Sequence, residues 1–413
     1  MHLDRRSLWL IWLLGVLFCG LWFPAQVHAE APVTILASEH SYVFGEQVRF
    51  HLQAEADAPI ESIVLSYRTS DTQDTNVVQL PFEAATTVDV QHVHHVSERY
   101  IRPFVEISYW WTIGGTNGAQ LTTDPQSFEY VDDRFAWQSL SEGGVVVYWY
   151  EGEVEVAGQA LDVAVEAISR AVLDVPVEAL QKTIDIYLYA RPDDLRLTLP
   201  AGLPSGADAL TLYETNVILV PYGPKEANIP ALQRILPHEV THALIHEATR
   251  SDYDRVPLWF AEGLATSVEY TFVPDPEAQV LLEAALERRE PFRLETLCAA
   301  FPHTGQDARL AYAQSASVVA TIRDLYGREA LRELTRAYAD GATCEGGVQR
   351  VFGVSLERLE LLWREYQAPQ GRLSLFWEHN ASLVVLVLLL SAPVLFLLPW
   401  PRWFHRAPRR ELE

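Results

Sequence analysis

The sequence predicts an α+β protein of two folded domains with one transmembrane helix near its C-terminus. Three observations lead to this prediction. Short alternating apolar runs fill the region 31–130, strand-like and then helical runs follow it, and an almost wholly apolar stretch covers 381–399. The 413 residues exceed one average domain, so they suffice for two domains and for segments that direct export.

The N-terminal segment has the pattern of a secretory signal peptide. Arg5 and Arg6 precede an apolar run from Leu8 to Trp22, and Val27-His28-Ala29 offers residues that a signal peptidase tolerates at its cleavage site. We therefore predict a signal peptide over residues 1–29. An uncleaved N-terminal anchor is the alternative, and both interpretations imply that the bulk of the chain is exported.

Residues 30–131 are predicted to form a β-sandwich. Several strand-length runs follow one another without a helical stretch, but no Cys-Trp-Cys spacing is present, so "immunoglobulin-like" describes only the architecture. The domain could serve as a spacer, a brace or a surface that docks substrate. His92, His94 and His95 lie in one strand-like run; because alternation directs His94 and His95 to opposite faces, we interpret them as part of a solvated strand and not as a metal site.

Residues 132–370 are predicted to form the second domain, a small sheet combined with a helical half. Strand-like runs include GGVVVYWYEG, TIDIYLY at 183–189 and TNVILV at 215–220, and an amphipathic helix is expected at 155–173. A helix begins near Ile229, and nearly the whole of 234–365 has helical periodicity. Strands followed by helices are typical of an α+β layout.

The apolar stretch 381–399 has the length of about 20 residues that a membrane-spanning helix needs. Tryptophans flank it, and Arg402, Arg406, Arg409 and Arg410 follow it, which favours a cytoplasmic C-terminus. We therefore predict a single-pass cell-membrane protein with a transmembrane helix at 380–400, a cytoplasmic tail at 401–413 and extracytoplasmic folded domains. A buried core helix is the less fitting alternative.

Charge and cysteine content limit the partners and the compartment. The formal net charge is −24, so nucleic acid and anionic lipid headgroups are not expected as partners. Outside the signal segment, the cysteines are Cys298 and Cys344, which could pair in an oxidising compartment, and the sequence leaves that pairing open. No chelate spacing makes either one a metal ligand. The sequence does not indicate an oligomeric state.

The residues that carry chemistry are His238-Glu239-Val240-Thr241-His242, an HExxH motif. On a helix, positions four apart lie on one face, so both imidazoles can bind one metal ion, while Glu239 points toward its open side. Zinc fits such ligands and lowers the pKa of its bound water toward about 7. A carboxylate beside that water can accept its proton, and this makes Glu239 the candidate general base.

A third ligand is available downstream. Glu262 lies in Pro257-Leu258-Trp259-Phe260-Ala261-Glu262-Gly263-Leu264-Ala265, where Pro257 marks the start of a helix. A carboxylate among such apolar neighbours is costly to bury unless a cation meets it. One Zn²⁺ per chain, bound by His238, His242 and Glu262, would supply that cation.

The two motifs together resemble the thermolysin-like gluzincins, and the Trp-Phe-Ala-Glu-Gly-Leu-Ala form is similar to peptidase MA-like domains of exported bacterial proteins. The likeness covers about residues 135–368 and is strongest at 229–266. It implies a gluzincin-type metallopeptidase domain in which His238, His242 and Glu262 bind zinc and Glu239 is the base. It also implies that the strand before the metal helix, 215–220, binds substrate backbone as an edge.

The same resemblance suggests an oxyanion stabiliser. Tyr312 lies in Leu310-Ala311-Tyr312-Ala313-Gln314-Ser315, which is similar to a Tyr-Ala-Gln-Ser segment that follows the zinc site in MA-like relatives. The alternative is a core tyrosine on a packed helix. His246 could support the site, but a surface histidine is the simpler interpretation.

Two departures from the family pattern bear on the site. Pro237 directly precedes the first ligand, so the helix is expected either to kink or to start there. Some thermolysin-like enzymes carry a carboxylate four residues after the third ligand, whereas this chain has Thr266; Glu269 could substitute for it.

We therefore predict zinc-dependent hydrolysis of peptide bonds by a membrane-tethered extracytoplasmic endopeptidase that acts on peptide or protein substrates. One alternative is a catalytically silent envelope-binding or receptor module that retains zinc. Glu239 favours activity, because a structural site needs no such residue. Another alternative, an aminopeptidase, is disfavoured because a Gly-x-Met-Glu-Asn segment is absent.

Overall fold

The computed structural model describes residues 33–199, 209–223, 229–302 and 304–368. The chain divides between Asp132 and Asp133 into two compact units, which are described separately. Within the described residues, no helix combines the length and the apolar character that crossing a membrane requires. The predicted signal peptide at 1–29, transmembrane helix at 380–400 and tail at 401–413 lie outside the described residues.

The N-terminal unit is an antiparallel sheet of seven strands built around one long strand. Its strands are β1 (Val33–Val43), β2 (Gln47–Thr69), β3 (Asn76–Gln79), β4 (Ala85–His95), β5 (Val105–Gly115), β6 (Gln120–Thr122) and β7 (Gln126–Tyr130). β2 pairs with β1 and β4 along its first half and with β3 and β5 along its second, with a register shift between Glu55 and Ile60. All seven strands are thus connected by hydrogen bonds through β2 into one sheet, and the expected two-layer sandwich stays a prediction.

Alternation along these strands explains the core of the N-terminal unit. In β5 every second side chain is buried, including Trp111 and Ile113, as expected for a strand with one face on the core. His94 differs from the prediction of a solvated strand because it is buried. Its Nε2 donates to the carbonyl of Arg99 at 2.8 Å, so its Nδ1 accepts from the hydroxyl of Tyr67 at 2.8 Å. Both ring nitrogens of His94 are thus used inside the sheet.

The C-terminal unit begins with a mixed five-stranded sheet. Its strands are β8 (Gln138–Glu142), β9 (Val145–Trp149), β10 (Ile184–Tyr189), β11 (Leu210–Leu212) and β12 (Val217–Pro221). The order is β11-β12-β10-β9-β8, with β9, β10 and β12 parallel and the two outer strands antiparallel to their neighbours. This is the small sheet that the sequence predicts.

Helices cover one side of this sheet and form the rest of the unit. They are α1 (Val154–Ala171), α2 (Pro192–Arg196), α3 (Ile229–Thr249), α4 (Leu258–Phe272), α5 (Pro276–Arg288), α6 (Leu294–Leu297), α7 (Gly305–Tyr326), α8 (Arg328–Ala339), α9 (Cys344–Phe352) and α10 (Leu356–Gln367). One continuous apolar core joins β9, β10 and β12 to α1, α3, α4 and α7. The strand-then-helix layout and the helix start at Ile229 agree with the sequence prediction.

A disulfide joins Cys298, at the end of α6, to Cys344, at the start of α9. It lies against the start of α4: the Leu258 N–H donates to the Cys298 carbonyl at 3.1 Å, and the Trp259 indole N–H donates to the Cys344 sulfur at 3.4 Å. The pairing that the sequence left open is therefore formed, and it borders the helix that carries Glu262.

Candidate metal centre

Helix α3 places two imidazoles on one face. The Nε2 atoms of His238 and His242 are 3.1 Å apart, which is the consequence of their four-residue spacing. Pro237 lies inside a helix that is continuous from Ile229 to Thr249, so the helix does not start at the proline. The Thr241 hydroxyl donates to the Pro237 carbonyl at 2.7 Å, within this turn of the helix.

Helix α4 brings the third predicted ligand to the same point. Pro257 caps the helix, which begins at Leu258, as the sequence predicts. One turn later, Oε2 of Glu262 lies 3.2 Å from Nε2 of His238 and 3.3 Å from Nε2 of His242. The three side chains thus bring one ligand atom each to a single place that is largely shielded from solvent.

The approach of α4 to α7 depends on a glycine beside the ligand. A Cβ atom at Gly263 would lie 2.6 Å from the Ser315 carbonyl oxygen and 2.8 Å from a Val319 methyl. Such distances are too short for real contacts, so only glycine permits this packing. Glu262 and Gly263 are therefore adjacent for a reason: the close contact between α4 and α7 at Gly263 fixes the position of the candidate ligand Glu262.

A carboxylate holds the outer nitrogen of His238. Oε2 of Glu269 lies 3.3 Å from its Nδ1, and Oε1 of Glu269 accepts from Nε of Arg234 at 3.1 Å. Because a carboxylate only accepts, Nδ1 carries the proton of the neutral ring and its Nε2 presents a lone pair. Glu269 thus takes the supporting position that the sequence suggested for it, in place of Thr266.

A tyrosine holds the outer nitrogen of His242. The Tyr253 hydroxyl lies 3.2 Å from its Nδ1 and is also hydrogen-bonded to Tyr213. Burial raises the pKa of both phenols, so each stays a neutral hydroxyl. His246, expected at the surface, is half-buried and stacks on Tyr213 with ring centroids 5.7 Å apart. Sequence reasoning missed Tyr213 and Tyr253, since no motif spacing links them to the histidines.

The three donor atoms fit a divalent metal ion. Oε2 of Glu262 is buried without a hydrogen-bond donor, which leaves a charged oxygen facing two imidazole nitrogens. Ligand atoms at about 2.0–2.1 Å from zinc in a tetrahedron stand about 3.3 Å apart. The observed separations of 3.1, 3.2 and 3.3 Å match this spacing. Two imidazoles and one carboxylate are also the donor set that zinc accepts in catalytic sites.

Without a metal ion, a proton on the His238 ring supplies the positive charge at the centre of the site. Burial opposes the charge on His238, yet the adjacent carboxylates of Glu262 and Glu269 outweigh burial and raise its pKa to about 10. Burial likewise opposes the charge on Glu262, but the neighbouring imidazoles outweigh it and lower the pKa of this carboxyl. The site therefore selects for positive charge at its centre.

A cleft of about 660 Å³ opens beside His238. Glu239 and Tyr312 line it together with His238 and Thr266. The Tyr312 ring centroid lies 5.9 Å from that of His238. Burial raises the pKa of Tyr312, so its hydroxyl is a hydrogen-bond donor at neutral pH. The structure thus places His238, Glu239 and Tyr312 on one cleft, and His238 connects this cleft to the ligand atoms of His242 and Glu262.

The edge of the sheet near the metal helix differs from the prediction. β12, which covers most of 215–220, pairs with β10 on one side and β11 on the other, so it is an interior strand. β11 is the outer strand at this end of the sheet among the described residues. The edge role proposed for 215–220 is therefore wrong. The sequence did not reveal β11, because a strand of three residues is too short to show alternation. The Thr211 hydroxyl of β11 donates to Oε2 of Glu239.

Comparison with known proteins supplies the family. A model of the Peptidase MA superfamily matches residues 163–368, which include α3, α4, α7 and every candidate site residue named above. This part of the chain belongs to the Peptidase MA superfamily. The match agrees with the resemblance that the two motifs indicate.

Two further proteins are similar to the chain. The uncharacterized protein YhcO of Bacillus subtilis (strain 168) is 27% identical over 196 residues, which cover 44% of this chain and 56% of YhcO. The chain therefore spans little more than half of that relative. The crystal structure of Legionella pneumophila aminopeptidase A in complex with aspartic acid is 11% identical, with a TM-score of 0.36 over 82% of this chain and 50% of that one.

Proposed function

We propose that the chain is a zinc-dependent endopeptidase. The observation that carries the proposal is the spacing of the ligand atoms of His238, His242 and Glu262, all within 4.8 Å of one another, with a further glutamate, Glu239, on the cleft beside them. A purely structural zinc site has no use for an additional carboxylate that does not bind the metal. Membership of the Peptidase MA superfamily supports hydrolysis of peptide bonds as the reaction.

Zinc, when bound, acts as a Lewis acid that polarises the substrate carbonyl and the attacking water. Glu239 accepts the proton of that water at its carboxylate and passes it to the amine that leaves. The Tyr312 hydroxyl donates a hydrogen bond to the carbonyl oxygen as negative charge develops there. Glu269 and Tyr253 keep the imidazoles of His238 and His242 aimed at the centre.

The experiment measures zinc content and the cleavage of a mixed peptide library by the purified full chain. Glu239→Ala is compared with Glu287→Ala, an exposed glutamate of α5 that serves as the matched control. We expect about one zinc in all three proteins, with cleavage lost only in Glu239→Ala. Zinc without cleavage in the parent would favour the silent binding module, and a protein without zinc would reject the metal assignment.

We further propose that the folded units lie outside the cytoplasm and that the helix at 380–400 tethers them. The disulfide between Cys298 and Cys344 supports an oxidising compartment. The arginines after residue 400 favour a cytoplasmic tail. Protease added to intact cells should degrade the folded units and leave an epitope fused to the C-terminus protected; a fully protected chain would contradict this topology.

A further inference from the structure

The hydroxyl of Thr211 bonds the residue that the proposed function uses as its base. Thr211 is the central residue of β11, is only 6% exposed and donates to Oε2 of Glu239 on α3. The HExxH motif does not predict this contact, since Thr211 lies 28 positions before Glu239 in the sequence. The bond joins β11 to the metal helix.

A base needs such a partner because a glutamate side chain is flexible. Glu239 shares its cleft with the guanidinium groups of Arg234, which is paired with Glu269, and Arg309, which is paired with Glu277. Their positive charge would still attract a carboxylate that swings away from the site. A neutral hydroxyl orients the carboxylate without cancelling its negative charge. The bond engages one lone pair of Oε2, so the carboxylate is oriented and still has lone pairs that can accept a proton.

Neighbouring residues keep Thr211 itself in place. Its backbone is registered against Ile218 of β12, and the next side chain, Leu212, is buried in the unit. Tyr213 follows and packs on Tyr253, with ring centroids 4.4 Å apart, behind His242. The backbone is therefore held at the threonine and at the residues that follow it, which is the condition for a small side chain to orient a larger one.

We propose that Thr211 is a positioning residue that holds Glu239 in the orientation needed to accept a proton from water. The proposal rests on the proposed peptidase function, which it deepens by assigning a role to a residue outside the metal-binding motifs. Thr211 acts through Glu239 and need not contact the substrate. Its loss should therefore lower kcat and leave KM nearly unchanged, because the orientation of the base matters after the substrate has bound.

The test compares Thr211→Val, Thr211→Ser and a control, Thr335→Val, in the full chain. Valine keeps the shape of threonine but removes the donor, whereas serine keeps it; Thr335→Val removes a buried hydroxyl in α8 instead. We expect kcat of Thr211→Val to fall about tenfold, from the loss of one hydrogen bond to a charged group. Its KM and zinc content should stay within about twofold of the parent, and Thr211→Ser should recover most of kcat.

A second measurement does not depend on cleavage. The urea midpoints of the parent, Thr211→Val, Glu239→Ala and the double variant form a cycle that reports whether the two side chains interact. We expect Thr211→Val to lower the midpoint in the parent and to leave it unchanged in the Glu239→Ala background. An unchanged kcat in Thr211→Val, a loss that serine does not rescue, or additive midpoints would each overturn the proposal. If the parent cleaves no peptide, the proposed function fails, while the cycle still decides whether Thr211 holds Glu239.

Discussion

The carboxylate of Glu269 lies 3.3 Å from Nδ1 of His238, while Nε2 of the same ring lies 3.2 Å from Glu262. One imidazole is therefore held between two glutamates of the same helix, two turns apart. One carboxylate belongs to the candidate metal centre and the other orients the ring.

Replacing Glu269 by glutamine should weaken zinc binding about 10- to 100-fold, because loss of a supporting carboxylate has this typical cost. The amide keeps the size of the side chain but not its charge. Competition with a fluorescent zinc chelator measures the change. Glu287→Gln, which alters an exposed glutamate of α5, is the matched control and should bind zinc like the parent. Equal affinities in the two variants would contradict the supporting role of Glu269.

Zinc binding should depend steeply on pH. In the metal-free protein the pKa of His238 is raised to about 10, so the metal must displace a proton from this ring at neutral pH. The dissociation constant for zinc should therefore fall about tenfold per pH unit between about pH 6.5 and 9. Calorimetry in buffers of different ionisation enthalpy should detect the released proton. A zinc affinity that is flat across this range would contradict the argument.

The same raised pKa has an opposite consequence for stability without metal. Since the folded pKa of about 10 exceeds the ordinary value of 6.5, protonated His238 stabilises the metal-free fold below pH 6.5, and this contribution is lost as the pH rises through 10. After treatment with a chelator, the urea midpoint should thus decrease toward pH 10. His238→Gln, which carries no titrating ring, should remove this part of the decrease.

Gly263→Ala should destabilise the C-terminal unit by about 1–3 kcal/mol, the usual cost of overpacking. The added methyl group would meet the Ser315 carbonyl oxygen at 2.6 Å, so α4 and α7 must separate. Because Glu262 is the preceding residue, zinc affinity should fall as well. Urea denaturation and chelator competition measure the two effects.

Gly158→Ala provides the matched control for this substitution. Gly158 lies within α1, and a Cβ atom there has no neighbour within 4 Å. It should stabilise the protein by about 0.5–1 kcal/mol, because alanine is the better helix former. A Gly263→Ala variant as stable as the parent, or stabilised like Gly158→Ala, would show that the α4–α7 contact is looser than the distances indicate.

Reduction of the disulfide should lower the free energy of unfolding by about 3–4 kcal/mol, as expected for a cross-link between residues 46 positions apart. Zinc affinity should also fall, since Cys298 and Cys344 both contact the first turn of α4. Denaturation with and without a thiol reductant measures the change. The variant with both cysteines replaced by alanine is the control and should not respond to the reductant.

Much of the candidate site follows from the sequence, because its main spacings are local. On a helix, the interval of four residues places His238 and His242 on the same face. Pro257 marks the start of the helix that carries Glu262. Glu269 was within reach for the same reason, since it follows Glu262 on that helix.

The parts that were missed come from contacts between distant segments. Thr211 and Tyr213 reach the site from β11 and the turn after it, and Tyr253 reaches it from a 3-10 turn. None of these segments has a periodic pattern that reveals its facing partner. The continuous pairing of the N-terminal strands through β2 was missed for a related reason, because a register shift inside one long strand leaves the alternation of its apolar residues nearly intact.

The bond between Cys298 and Cys344 also affects how long such a molecule survives beside its own copies. An enzyme that cuts peptide bonds can digest any neighbour that opens, and the rate of that digestion follows the fraction of molecules that are unfolded at a given moment. Closing the 46-residue loop lowers this fraction about a hundredfold or more. Under the proposed peptidase function, the cross-link would therefore protect the population from self-digestion, and chains that have not yet formed it would be the ones most exposed to attack by their finished copies.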